Sequence, residues 1–144
     1  MSTSNNYTLE QNESYARIDW KSTELVQSNF EELELAIRFL FKKEYANIIL
    51  NMAQVQEFDG YGVSAIRKGT KICTNELGLF AVVTKNEDIQ DRLDQAKIEN
   101  LTLLNTVQEA IDAIYLNDLE NDFEDGGEED EEYGSEFTDT GEDY

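Results

Sequence analysis

The chain has 144 residues, a length suited to one domain around one core. Its 32 Asp and Glu outnumber 11 Lys and Arg for a formal net charge of -21, which repels nucleic-acid phosphates and anionic membrane surfaces, so direct nucleic-acid or membrane binding is not expected. With no histidine and the single cysteine Cys73, it has no internal disulfide, no Cys/His zinc site and no histidine-based triad.

The polar start "MSTSNNYTLEQNES" lacks the apolar core of a signal peptide, and no apolar run approaches membrane-spanning length. A cytoplasmic protein is expected. The acidity is uneven: residues 124–144 carry eleven acids and no base, leaving 21 acids and all 11 bases in the rest.

In chain order, "YTLEQNESYARIDW" alternates in its second half, with Tyr15, Ile18 and Trp20 among polar residues and a turn-like Asn12, and predicts one or two short edge-type strands. "SNFEELELAIRFLFKKE" predicts an amphipathic helix with a Ser28/Glu31 capping box, burying Phe30, Leu33, Ile37, Leu40 and Phe41. "NIILNM" is a short buried strand. After "EFDGYG", Val63, Ile66, Cys73 and Leu77 form a helical stripe around Gly69 and Thr70, and Gly78 is the expected stop. "LFAVVT" predicts a further strand, and Thr84 with Glu87 the cap of a helix bearing Ile89, Leu93 and Ala96. "LTLL" is the last strand, before a helix capped by Thr106 and Glu109 that carries Val107, Ala110, Ile111 and Ile114.

Strands alternating with helices imply an α/β fold: a central, mostly parallel sheet of about five strands with about four helices. Acids crowding the negative end of the last helix predict fraying over residues 118–124. The composition beyond it predicts a disordered acidic tail, so the expected division is a domain over residues 6–118 and a tail over 119–144.

"DGYG", residues 59–62, lies at a β-to-α turn placed by this pattern at the end of a central strand, where α/β folds carry their sites. Asp59 is expected to cap the helix, with a direct catalytic role as the alternative. Gly60 and Gly62 permit unusual backbone angles and close approach, but they form neither GxGxxG nor a P-loop. Arg67, Lys68 and Lys71 are the densest basic group in the chain. They make either a solvated face or a docking surface for an acidic partner or for the protein's own tail. Cys73, on the apolar stripe, is expected to be a small buried hydrophobe and not a redox switch. No nucleophile and base occur in a catalytic pattern, and no catalytic residue, metal or cofactor is expected.

The strand "NIILNM", the linker "AQVQEF", then "DGYGVSAI" and the later "TVQEAIDAI" resemble a STAS domain, the fold of bacterial anti-sigma factor antagonists. The resemblance spans residues 6–118. In that family the turn commonly reads Asp-Ser-Ser-Gly, and a partner anti-sigma kinase phosphorylates the first serine. Asp59 and Gly62 match the pattern, while Gly60 and Tyr61 replace the serines. The resemblance therefore implies binding of an anti-sigma factor or related serine kinase through Asp59, Gly60, Tyr61, Gly62 and the following Ser64, Arg67, Lys68 and Lys71, with no phosphorylation at position 60. Tyr61 is expected to be an interface anchor. Tyr61 and Ser64 are the alternative phosphate acceptors, Ser64 being expected to be an ordinary exposed helical serine. Two other roles stay open: a subunit docked on the ATPase of a lipid or anion transport complex, and an acidic tail that is itself the functional part. The sequence does not set the oligomeric state.

Overall fold

The computed structural model describes residues 6–128, with side-chain environments as far as residue 121. The chain opens with a hairpin of β1 (Tyr7–Gln11) and β2 (Ala16–Trp20), paired antiparallel. Asn12 makes the turn, its Oδ1 accepting from the N–H groups of Ser14 and Tyr15 at 2.8 and 2.9 Å. Contrary to its predicted edge character, β2 lies inside the sheet and pairs in parallel with β4 (Ile48–Asn51). Next come β6 (Phe80–Val83) and β7 (Thr102–Leu104), both parallel, giving the order β1-β2-β4-β6-β7.

The sheet is covered on both faces, as its unbroken apolar strands require. Ile18, Ile48, Leu50, Phe80 and Val82 share a core with α1 (Phe30–Lys42), α2 (Gly60–Asn75) and α3 (Glu87–Ala96). On the other face Ile49, Ala81 and Val83 pack against Ala110 and Ile114 of α4 (Val107–Glu128).

A second, two-stranded sheet joins β3 (Glu24–Leu25) to β5 (Glu57–Phe58) in parallel. Two residues show no periodicity, so nothing in the sequence marks it. It corrects the expected place of the "DGYG" turn, which follows β5 and not the central strand β4. It also explains the site. Since β3 leads into α1 and β5 into α2, parallel pairing sets the two helix N-termini side by side.

Several caps differ from expectation. The Ser28/Glu31 box does not form; Asn29 stands at the α1 N-cap and ties it to β3, its Oδ1 accepting from Val26 N–H at 2.9 Å and its Nδ2 donating to the Glu24 carbonyl at 3.0 Å. At α3 the cap is Asn86, which accepts from Ile89 N–H at 3.1 Å, while Thr84 accepts one step earlier from Asn86 N–H. Thr106 does accept from Glu109 N–H at 3.1 Å. Phe41 is not core: the buried stripe of α1 is Leu33, Ala36, Ile37 and Leu40, and Phe41, rotated off it, is 43% exposed.

Helix α2 closes in a Schellman motif whose left-handed residue is Leu77 (φ 65°) and not Gly78. Leu77 and Gly78 donate to the carbonyls of Thr74 and Cys73, and Leu77 leaves the core entirely. Gly78 is needed for space, because any Cβ there would run into the Ala46 carbonyl. α4 continues through residues 118–124 without the expected fraying. Polar anchors hold it there: Asn117 and Asn121 donate to the Leu77 carbonyl at 3.1 and 2.8 Å, and Asp118 accepts from buried Asn47 at 3.2 Å. The predicted disorder of the acidic tail beyond residue 128 lies outside the described residues.

Candidate functional site

Asp59 is the N-cap of α2. Its Oδ1 accepts from the N–H groups of Tyr61 and Gly62 at 2.9 and 3.2 Å, and its Oδ2 accepts from Gln27 N–H at 3.0 Å, in the loop that leads to α1. One carboxylate thus caps α2 and ties its start to the loop before α1. Both of its oxygens are engaged by backbone donors.

The two glycines of the turn have different jobs, and neither has positive φ, so the expected need for unusual backbone angles is not met. Gly60 meets nothing within 4 Å of where a Cβ would stand, so position 60 opens to solvent and would accept a side chain. Gly62 is buried: a Cβ there would lie 2.6 Å from the Phe58 ring and 2.7 Å from the Leu25 carbonyl. Its role is close packing of α2 on the small sheet, which withdraws it from the surface. Tyr61, 45% exposed, rests its ring on Phe30 of α1 with centroids 5.0 Å apart. Phe30, counted as core from its spacing, is half-buried and completes an aromatic pair across the two helix starts.

Beyond the first turn, Gly60, Ser64, Arg67 and Lys71 follow at intervals of three and four residues, opposite the buried Ala65, Ile66, Gly69 and Cys73. The predicted basic triplet is divided. Lys68 turns toward α1 and pairs with Glu34 at 3.0 Å. Arg67 turns toward α3, its Nη2 donating to the Ala96 carbonyl at 3.4 Å, and with Lys71 it lines a cleft of about 530 Å³. Lys97, on the far wall of that cleft, escaped sequence analysis because only the fold brings α3 beside α2.

Cys73 is buried in the core behind this surface. Burial pushes its thiol up to about 12 against an opposing hydrogen bond from the Ile48 backbone, leaving it a protonated, unreactive hydrophobe at neutral pH. Among the described residues no group of three His, Cys, Asp or Glu is arranged to hold a metal ion, and no helix is long and apolar enough to cross a membrane.

The STAS domain profile matches residues 21–110, and the chain belongs to the STAS domain family. No curated protein matches it by sequence. Among solved structures it is similar to an anti-sigma factor antagonist from Mycobacterium paratuberculosis, with a TM-score of 0.63 and 16% identity over 76% of this chain and 92% of that one. The anti-sigma factor antagonist SpoIIAA in its unphosphorylated form superposes with a TM-score of 0.61 at 18% identity, over 76% of this chain and 97% of that one. The phosphorylated form of SpoIIAA, described as a Bacillus cell fate determinant, gives a TM-score of 0.60 at 18% identity, over 75% and 98%. At these identities the likeness is one of fold.

Proposed function

We propose that this STAS domain is a cytoplasmic, non-enzymatic regulatory module of the anti-sigma factor antagonist kind. It captures an anti-sigma factor or related serine kinase through the start of α2, and so frees the sigma factor which that partner holds. The contact centres on Gly60, Tyr61 and Ser64 and is shaped from beneath by Asp59 and Gly62. Tyr61 anchors it, an aromatic half-exposed and steadied by Phe30.

The observation that carries this reading is the state of position 60. It is open to a partner at the first turn of α2, yet it has no hydroxyl. SpoIIAA is known in both unphosphorylated and phosphorylated forms. A phosphate at such a turn would add about -1.5 to -2 charges beside Asp59 and oppose the contact. Here that switch is missing at position 60, so the surface binds without being turned off there. Catalysis finds no support in the turn itself, because Asp59 spends both oxygens on backbone donors.

Affinity capture from native lysate, with bound proteins identified by mass spectrometry, tests the proposal. Wild type should retain a serine-kinase anti-sigma factor, and Gly60→Asp and Tyr61→Ala should lose it while remaining folded, Tyr61→Ala with a melting temperature lowered by no more than a few degrees. Capture of a transporter ATPase subunit in its place would assign the domain to a transport complex and overturn the proposal.

A further inference from the structure

The cleft between α2 and the α3–β7 connection is out of character with the rest of this acidic chain. Arg67, Lys71 and Lys97 stand around it with a single acid, Glu99, and with Thr74 and Asn75 at the end nearest Leu77. Among the described residues, Arg67, Lys71 and Lys97 are within ion-pair distance of no carboxylate; Arg67 holds only the Ala96 carbonyl. Solution anions and free acidic polymers reach this cleft against a net charge of -21. An attached acidic segment is repelled by the rest of the acidic chain as well, but its attachment keeps it near the cleft.

We propose that residues 129–144 of the same chain occupy this cleft. Three observations single them out. These 16 residues carry eight acids and no base. The segment follows α4, whose Asn117 and Asn121 hold the Leu77 carbonyl, and Leu77 is two residues beyond Asn75 of the cleft wall. Reach also suffices. From Asn121 to the end of α4 at Glu128 is about 10 Å of helix, and the 16 residues that follow span about 50 Å when extended, ample to double back. Attachment supplies an effective concentration of about millimolar order, at which weak, charge-based contacts become populated.

Occupation of the cleft covers Arg67 and Lys71, the outer half of α2, and leaves Gly60 and Tyr61 open. The contact is independent of the partner reading: it requires only the cleft and the segment.

The test is paramagnetic relaxation in the full-length, ¹⁵N-labelled protein with a nitroxide attached at S135C; Cys73, buried and protonated, is not labelled. At about 20 mM salt the amide signals of Asn75, Ile98 and Asn100 should lose at least half their intensity relative to those of β1 at the opposite sheet edge, and regain it at about 0.5 M salt. Reversing the cleft charges (R67E, K71E and K97E together) should abolish the loss. So should changing the eight acids of residues 129–144 to their amides, a variant that leaves the folded domain untouched. A mixture of nitroxide-bearing unlabelled chain and nitroxide-free ¹⁵N chain should show no loss. Absence of broadening at low salt, broadening elsewhere on the domain, survival in either variant, or its appearance in the mixture would each overturn the proposal.

Discussion

Gly60 and Gly62 read alike as letters of a turn, yet the space around them separates their roles. Open space at Gly60 means that Gly60→Ala should leave stability unchanged or raise it by about 0.5–1 kcal/mol, through lower backbone entropy of the unfolded chain. Gly62→Ala forces a methyl against the Phe58 ring and the Leu25 carbonyl and should cost about 1–3 kcal/mol. Urea unfolding of the two variants decides the matter, and equal midpoints would refute the packing role. Cys73 supplies a pH signature. The folded chain holds its thiol proton to about 12, against a reference of 9.0. Its contribution to stability is therefore complete below pH 9 and is lost as the pH rises toward 12. In that window wild type should lose about 1.4 kcal/mol per pH unit more than Cys73→Ala, measured by denaturant unfolding at matched pH. Thiol reagents should leave the native protein unmodified at neutral pH.

At the scale of elements, the helices and central strands were legible because their apolar residues recur at the required periods: Leu33, Ile37 and Leu40 in α1, Ile66 and Cys73 in α2, Ile89 and Leu93 in α3. Their ends were less so. Serine and threonine hydroxyls compete for caps with neighbouring asparagines: Asn29 holds the backbone of Glu24 and Val26 at the start of α1, and Asn86 takes the Ile89 N–H at the start of α3. The end of α2 shows the same competition, since a glycine after an apolar residue suggests a left-handed stop, but Ala46 claims Gly78 for space and leaves Leu77 in the left-handed turn. Leu77 is 70% exposed and loses little packing on replacement, so Leu77→Gly should stabilise the protein by about 1 kcal/mol. Gly78→Ala adds a methyl that collides with the Ala46 carbonyl and should prevent normal packing of the α2–β6 connection. Thermal melts of the pair should move in opposite directions; a fall for both would contradict the assignment.

For the whole molecule, the resemblance carried by "NIILNM" and "DGYGVSAI" anticipated the fold, and the turn itself stood out in the sequence with Asp59 at its head. What the sequence hid was tertiary: the small β3–β5 sheet that sets α1 beside α2, the Phe30–Tyr61 pair this creates, and the division of Lys68 from Arg67 and Lys71. Short strands leave no period, and a helix's outer charges do not reveal which neighbours they will meet. The resulting surface is a turn with the half-exposed Tyr61 ring resting on Phe30 and no hydroxyl at position 60. Its binding role is tested most directly by titrating the purified anti-sigma partner from the capture experiment with wild type, Gly60→Asp and Tyr61→Ala in a calorimeter. A tenfold or greater loss of affinity in both variants, with both still folded, is the predicted result; wild-type affinity in both would place the contact elsewhere on the domain and contradict the account.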